Sequence, residues 1–221
     1  MIEDHGPLLP ADGQEMLQRV RSAAQRMVTL IDGLLRLSKV TRSELRSAAI
    51  NISHLSREQL DALATLTPER AVSVDIEPGI TITGDPDLWR VAVDNLLDNA
   101  WKYTSRKSQA QIRIHRIEVD GRAGFTVADD GAGFDMRYGE RLFSAFQRLH
   151  HPDEFSGHGI GLATVKRIVQ RHRGTITAEA SPERGARFTI LLHGCGRDSP
   201  YGPPPTQIRT CSITAYGSHL G

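Results

Sequence analysis

Asp129-Asp130-Gly131-Ala132-Gly133-Phe134-Asp135 follows the alternating run Phe125-Thr126-Val127-Ala128. That order predicts a β-strand ending in two carboxylates and a sharp turn, because glycine permits positive φ and close backbone approach. Further on, Gly157-His158-Gly159-Ile160-Gly161-Leu162-Ala163-Thr164 opens a helix-patterned stretch that runs to about His172. A helix start presents unpaired N–H groups with partial positive charge, which favours phosphate. An acid at a strand end and a glycine nest at a helix start together suit a nucleotide.

Outward from these segments the pattern predicts an α+β chain. Asp85-Pro86 is a helix start, with Asp as N-cap and Pro at the first helical position. The helix should run from Asp87 to about Tyr103 and carry Asn95, Asn99 and Lys102 along one face. Amide oxygens can ligate Mg²⁺ or its waters, and a lysine meets phosphate as a point charge. The plainer alternative is a solvated face on which Asp98 and Lys102 pair. Strands are expected at 48–53, 72–76, 80–83, 112–119, 175–180 and 186–192, with a hairpin at Asp120-Gly121 and a return strand ending at Asp130. A helix from Leu55 to Leu66 should be capped by Ser53 or Ser56, residues 136–158 should form a mixed loop, and Gly174 should cap the helix that ends near His172. The elements imply a two-layer α/β sandwich. Before it, residues 12–46 read as one long helix with Leu17, Val20, Ala24, Met27, Ile31 and Leu34 at seam spacing.

Four segments in this order resemble the ATP-binding region of sensor histidine kinases, within the wider gyrase, Hsp90, kinase and MutL superfamily. They are NLLDNAWKYT (95–104), DDGAGFD (129–135), the phenylalanine segment Leu142 to Leu149, and GHGIGLATVKRIV (157–169). Arg184-Gly185-Ala186-Arg187-Phe188 resembles the family's last glycine turn, and the likeness extends from about Asp12 to Leu192, closest to kinases of phytochrome-like photoreceptors.

The resemblance implies a Bergerat-type fold, with ATP and Mg²⁺ as ligand and cofactor. Asp130 would accept the adenine amino group, although an Asp-Gly pair also serves as a plain turn. Gly131 and Gly133 would clear the base, and Asn99 would hold Mg²⁺ beside Asn95. Lys102 and Tyr103 would lie near phosphates and lid. Gly157, Gly159, Ile160, Gly161 and Leu162 would wrap the phosphates. Phe143 and Phe146 are either packing residues or the hinge of an ATP lid. Relatives that hydrolyse ATP place a glutamate base where Asn95 stands, so the asparagine points to phosphotransfer onto a histidine.

The same likeness makes residues 1–46 part of a dimerisation hairpin (its loop and second helix) and 47–194 the catalytic domain. The Pro- and Gly-rich stretch 195–221 is expected to be disordered. His5 mimics a phosphoacceptor histidine, but Gly6-Pro7 breaks any helix there, so the acceptor helix is expected to be missing and transfer to occur in trans. The implied partners are an acceptor helix, a response regulator and a second copy through residues 12–46. A non-catalytic ATP-binding fragment and an anti-sigma-type serine kinase are the alternatives; the long heptad helix argues against the latter.

Composition sets outer limits. A chain of 221 residues, 39% hydrophobic and 24% charged, can bury a sizeable core. Its net charge of +1 gives no case for nucleic acid or an acidic membrane. Apolar runs are too short to span a bilayer, no signal-peptide pattern opens the chain, and a cytoplasmic location is expected. Two cysteines, Cys195 and Cys211, indicate neither a disulfide framework nor a zinc site, and histidines 150, 151 and 158 lack a rigid metal-binding spacing.

Overall fold

A computed structural model describes residues 10–42, 45–147, 149, 154–155 and 159–193. The order is α1 (Ala11–Arg42), β1 (Ala48–Asn51), α2 (Ile52–Leu66), β2 (Val72–Ile76), β3 (Thr81–Gly84), α3 (Pro86–Tyr103), β4 (Ala110–Val119), β5 (Arg122–Asp129), a 3₁₀ turn (Met136–Arg141), α4 (Gly161–Arg171), β6 (Thr175–Ala180) and β7 (Ala186–Leu191). His5, Gly157, the three loop histidines and the stretch from residue 194 onward lie outside the described residues.

Five strands form one sheet in the order β2-β4-β5-β7-β6, and β1 pairs with β3 in a separate antiparallel ribbon. Only β2 with β4 runs parallel within the larger sheet; its other neighbours are antiparallel. The β4–β5 hairpin turns at Asp120 and Gly121, both at positive φ, which matches the right-handed twist of the strands it joins. Ile114, Val127 and Phe188 lie opposite one another on the inner face, and Phe125 and Ile190 form the next row. With Ile112 they make the sheet side of the core. The observed architecture is the expected two-layer sandwich.

α3 is the central helix of the other layer. Its N-cap Asp85 accepts from the N–H groups of Asp87 and Leu88, with Pro86 at the first helical position. Leu88, Trp89, Ala92, Val93, Leu96, Leu97, Ala100 and Trp101 recur at helical spacing and are all buried. At the far end the Thr104 hydroxyl donates to the Ala100 carbonyl, and the Arg70 guanidinium donates to the carbonyl of Trp101. The Thr104 hydroxyl also lies 3.0 Å from the Trp101 carbonyl, so that group keeps a second donor.

Three local expectations are corrected. α2 starts at Ile52, not Leu55, because Asn51 at the end of β1 accepts from the His54 N–H and caps it. Ser53 instead bridges the helix to the β2–β3 turn, donating to Glu77 and accepting from Ile80. The left-handed position after α4 is taken by Arg173, not Gly174. The Gly174 N–H reaches Val169 and the Arg173 N–H reaches Gln170, the paired bonds that satisfy the last carbonyls of a helix. Residues 136–141, expected as loop, form a 3₁₀ turn capped by the Asp135 carboxylate.

Candidate functional site

The inner face of the sheet carries one buried carboxylate. Val74, Ile112, Asp129, Ala186 and Ala180 lie opposite one another across all five strands. Asp129 is 9% exposed among apolar neighbours. Burial pushes its carboxyl up to about 6, against the lowering effect of N–H groups from Gly131 and Ala186 and with a further push from Asp130. Its neighbours on the β7 and β6 side, Ala186 and Ala180, carry only methyl side chains.

Asp130, expected to grip a base, is placed differently. Its carboxylate accepts from the Gln111 N–H of β4 at 2.8 Å, and its own N–H donates to the Gln111 carbonyl. It continues the β4–β5 ladder by one residue, and the inward acid is its neighbour. The alternation Phe125, Val127, Asp129 contains this answer, because side chains two apart share a face. The expectation followed the spacing to the glycine rather than the strand's parity.

The turn after β5 presses on the end of α3. A side-chain carbon at Gly131 would sit 2.5 Å from the Tyr103 carbonyl, so only glycine fits, and the next N–H, of Ala132, donates to that carbonyl at 3.0 Å. Gly133 passes the main chain of Ser181 as closely. The turn after β5 is therefore wedged between α3 and the β6–β7 connection.

Asn95, Asn99 and Lys102 share the half-buried stripe of α3, as expected, and Tyr103 is half-buried beside them. Asn95 Nδ2 donates to the Val91 carbonyl at 2.7 Å, so its amide oxygen is the end turned to the start of α4. There a carbon at Gly161 would come within 2.6 Å of that oxygen. Asn99 Oδ1 accepts from Lys102 Nζ at 3.2 Å, and the ammonium also lies 4.3 Å from the Tyr103 ring centroid. Asp98 accepts from Gln59 of α2 at 2.7 Å.

α4 begins at Gly161 with no side-chain cap, which leaves main-chain N–H groups at its first turn. Ile160 is buried and Leu162 packs against the core. Gly159, at positive φ, accepts from the Phe146 N–H at 2.9 Å and so joins the phenylalanine segment to the second glycine segment. Phe143 packs on the core with Lys166 5.7 Å from its ring, whereas Phe146 is exposed at positive φ. Phe155, not singled out from the sequence, is buried with its ring 5.0 Å from that of Tyr103. No periodicity surrounds it, so no local signal marked it.

The domain thus holds a buried acid on its sheet and, on α3, a half-buried polar stripe whose Asn95 meets the uncapped start of α4. Residues 84–194 match the family described as histidine kinase-, DNA gyrase B-, and HSP90-like ATPase. The chain belongs to that family. Its relatives include cyanobacterial phytochrome A of Nostoc sp., 31% identical over 86% of this chain and 25% of that protein. The sensor histidine kinase CpxA of Escherichia coli is 32% identical over 80% of this chain and 39% of its own length. This ATPase-family chain thus spans about a quarter to two-fifths of the length of these two relatives. Solved structures with the same fold include the mycobacterial sensor histidine kinase MprB (TM-score 0.56, 24% identity, 66% of this chain and 97% of that one). Full-length ShkA superposes with TM-score 0.62 at 24% identity, over 83% of this chain and 39% of that one. Among the described residues no helix is long and apolar enough to cross a membrane.

Proposed function

We propose that this chain is the ATP-binding catalytic region of a sensor histidine kinase. In this reading it moves the γ-phosphoryl group of ATP onto a histidine of an acceptor helix, from which a response regulator takes it. The observation that carries the reading is Asp129, the buried carboxylate on the apolar face of the sheet. An ionised carboxylate there accepts the adenine amino group and rejects guanine, which offers an oxygen at that position. Its burial supports giving this contact to Asp129 instead of Asp130. A structure of ShkA, which shares the fold, is a complex with the ATP analogue AMPPNP.

The rest of the pocket follows from the chemistry of its donors. Main-chain N–H groups at the uncapped start of α4, from Gly161 and Leu162, suit phosphate oxygens. Gly159 and Ile160 continue that lip, and Lys102 adds a positive charge. Tyr103 borders the base-side turn, and Phe143 and Phe146 border the glycine lip. Among the described residues no three His, Cys, Asp or Glu side chains cluster to hold an ion unaided. Mg²⁺ fits nonetheless, since it takes few protein oxygens and draws the others from phosphates and water. Asn99 Oδ1 would hold it, with Asn95 beside it; when bound it supplies charge neutralisation. Asn95 cannot accept a proton, so no base activates water here, and positioning dominates the transfer. Exposed apolar residues on α1 support self-association through residues 12–46, with 47–194 as the catalytic domain, and use of ATP makes the cytoplasm the compartment.

Calorimetric titration with ADP and ATP, with and without Mg²⁺, tests this. Asp129→Asn should weaken binding at least about tenfold, the scale of a hydrogen bond to a charged group. Asp130→Asn should bind like the parent chain. Asn99→Ala should lose only the Mg²⁺-dependent part. No heat from the folded parent chain would end the nucleotide reading.

A further inference from the structure

The face of the sheet turned away from the helices carries an ordered row of charges. Asp75, Arg113, Ala128, Arg187 and Glu179 lie opposite one another across all five strands. All but Ala128 are exposed. Two guanidiniums therefore flank one methyl group, with their Cα atoms about 10 Å apart, two strand spacings. An acid closes each end of the row.

Opposite charges facing each other across a sheet ordinarily pair, but these do not. The Asp75 carboxylate is taken by His115 Nε2 at 2.8 Å. Among the described residues neither Arg113 nor Arg187 makes a hydrogen bond or an ion pair, and Glu179 stays out of reach of Arg187. Ala128 is 7% exposed although this face is open to solvent. Its methyl is thus the floor of a shallow trough walled by the two arginines. On one side of the row lie the hydroxyls of Thr126 and Thr189, opposite each other, and Thr126 makes a long 3.4 Å bond to the His115 carbonyl. On the other side the Asp130 carboxylate is held by the Gln111 N–H.

The order of these charges selects the ligand. Two guanidinium forks suit a compact anion that carries about two charges and accepts from several directions, which is the chemistry of a phosphate group. A carboxylate would occupy one fork and leave the other unpaired. A run of acids laid along the row would meet the like charges of Asp75 and Glu179.

We propose that Arg113 and Arg187 form a binding site for a phosphate dianion, free or as a monoester, above Ala128 on the back of β5. The site lies on the opposite face from Asp129 and shares no residue with the nucleotide pocket, so it stands or falls independently of that reading.

Nitrogen–proton correlation NMR on the labelled 221-residue chain tests this. The probes are inorganic phosphate, an acetylated glycine–phosphoserine–glycine amide, and the serine and aspartate counterparts of that peptide. Phosphate and phosphopeptide should shift the side-chain signals of Arg113 and Arg187 and the amide of Ala128, with a Kd on the order of 1 mM. The aspartate peptide should bind at least about fivefold more weakly, and the serine peptide not at all. Arg113→Gln and Arg187→Gln should each weaken phosphate about fivefold, with Arg187→Lys between, since it keeps the charge without the fork. Both side chains are exposed, so the variants should fold, as unchanged signals elsewhere would show. Tighter binding of the phosphopeptide than of phosphate would assign a protein-borne group, and equal binding a free one. The site would be overturned by absent shifts, by shifts that persist at Ala128 in the double variant, or by an aspartate peptide that binds as well. Shifts confined to Gly161 would belong to the nucleotide pocket and would overturn it too.

Discussion

α1 and α3 are both amphipathic helices read from the same kind of spacing, yet only one finishes its packing within the chain. Every apolar side chain on the core face of α3 is buried. On α1, which touches the rest of the domain chiefly through α4, Met16, Val20, Met27, Val28 and Ile31 are 52–67% exposed. Periodicity reports that a face wants burial; it does not say which surface provides it. The contrast teaches that α3 is a stability element and a platform, whereas α1 holds apolar area in reserve.

The sharpest way to break this contrast is core truncation. Leu96→Ala, fully buried on α3, should destabilise by about 2–5 kcal/mol in urea titrations. Val20→Ala on α1 should be nearly silent in dilute solution, within about 0.5 kcal/mol. Comparable losses at the two sites would erase the distinction.

Next in size is Asp129, which faces the α3 layer. Its carboxyl, raised from 3.8 to about 6, carries stability that is full below 3.8 and is lost as pH rises through 6. At pH 7.5 Asp129→Asn should therefore be more stable than the parent chain by up to about 3 kcal/mol, and the gain should vanish near pH 4. Melting curves at the two pH values check this. Nucleotide affinity should run the other way, weakening as pH falls below 6 and the acceptor becomes protonated.

Smaller still is the N-terminal anchoring of α3. Burial pushes the Asp85 carboxyl up, but N–H groups of Arg46 and Leu88, the Arg46 charge and the Asp87 N–H outweigh it and hold it low. Asp85→Ala should cost about 1 kcal/mol. His172 joins this end of α3 to α4: its Nε2 accepts from the Asp85 N–H at 3.0 Å, and its Nδ1–H donates to Ile168. Burial holds its pKa below the ordinary 6.5, against the raising effect of Ile168 and Asp85. Its stabilisation is present above 6.5 and fades as pH falls through the lowered value. His172→Gln should flatten that acid limb, and a limb unchanged in the variant would show that another group causes it.

The smallest effect sharpens the contrast from the side of α1. Ile31→Asp should leave the melting temperature of the dilute chain almost unchanged while abolishing any concentration-dependent gain, read by sedimentation.

The sequence made α3 legible in full, because its cap, its first proline and its buried face all agree. Strand locations followed from alternation, and the hairpin from Asp120-Gly121. Asp129 was legible in principle through the parity of β5, but the glycine spacing drew attention one residue along. Phe155 was not legible, since a lone aromatic in an aperiodic stretch acquires its meaning only from Tyr103, distant in the chain. The Asn51 cap was missed because three polar residues compete within a few positions, and the end of β1 decides among them. Arg173 took the left-handed site because Gly174 is drawn in to bond Val169.

The parallel alignment of β2 with β4 has a kinetic consequence. β4–β5 and β6–β7 close from tight turns, but β2 can join its neighbour only after everything between Ile76 and Ala110 has looped back. Closing that crossover carries an entropy cost before the pairing returns anything, so this edge should zip up late. α3 lies inside the crossover, and a chain caught midway in refolding would own its two hairpins before its asparagine ridge is fastened down.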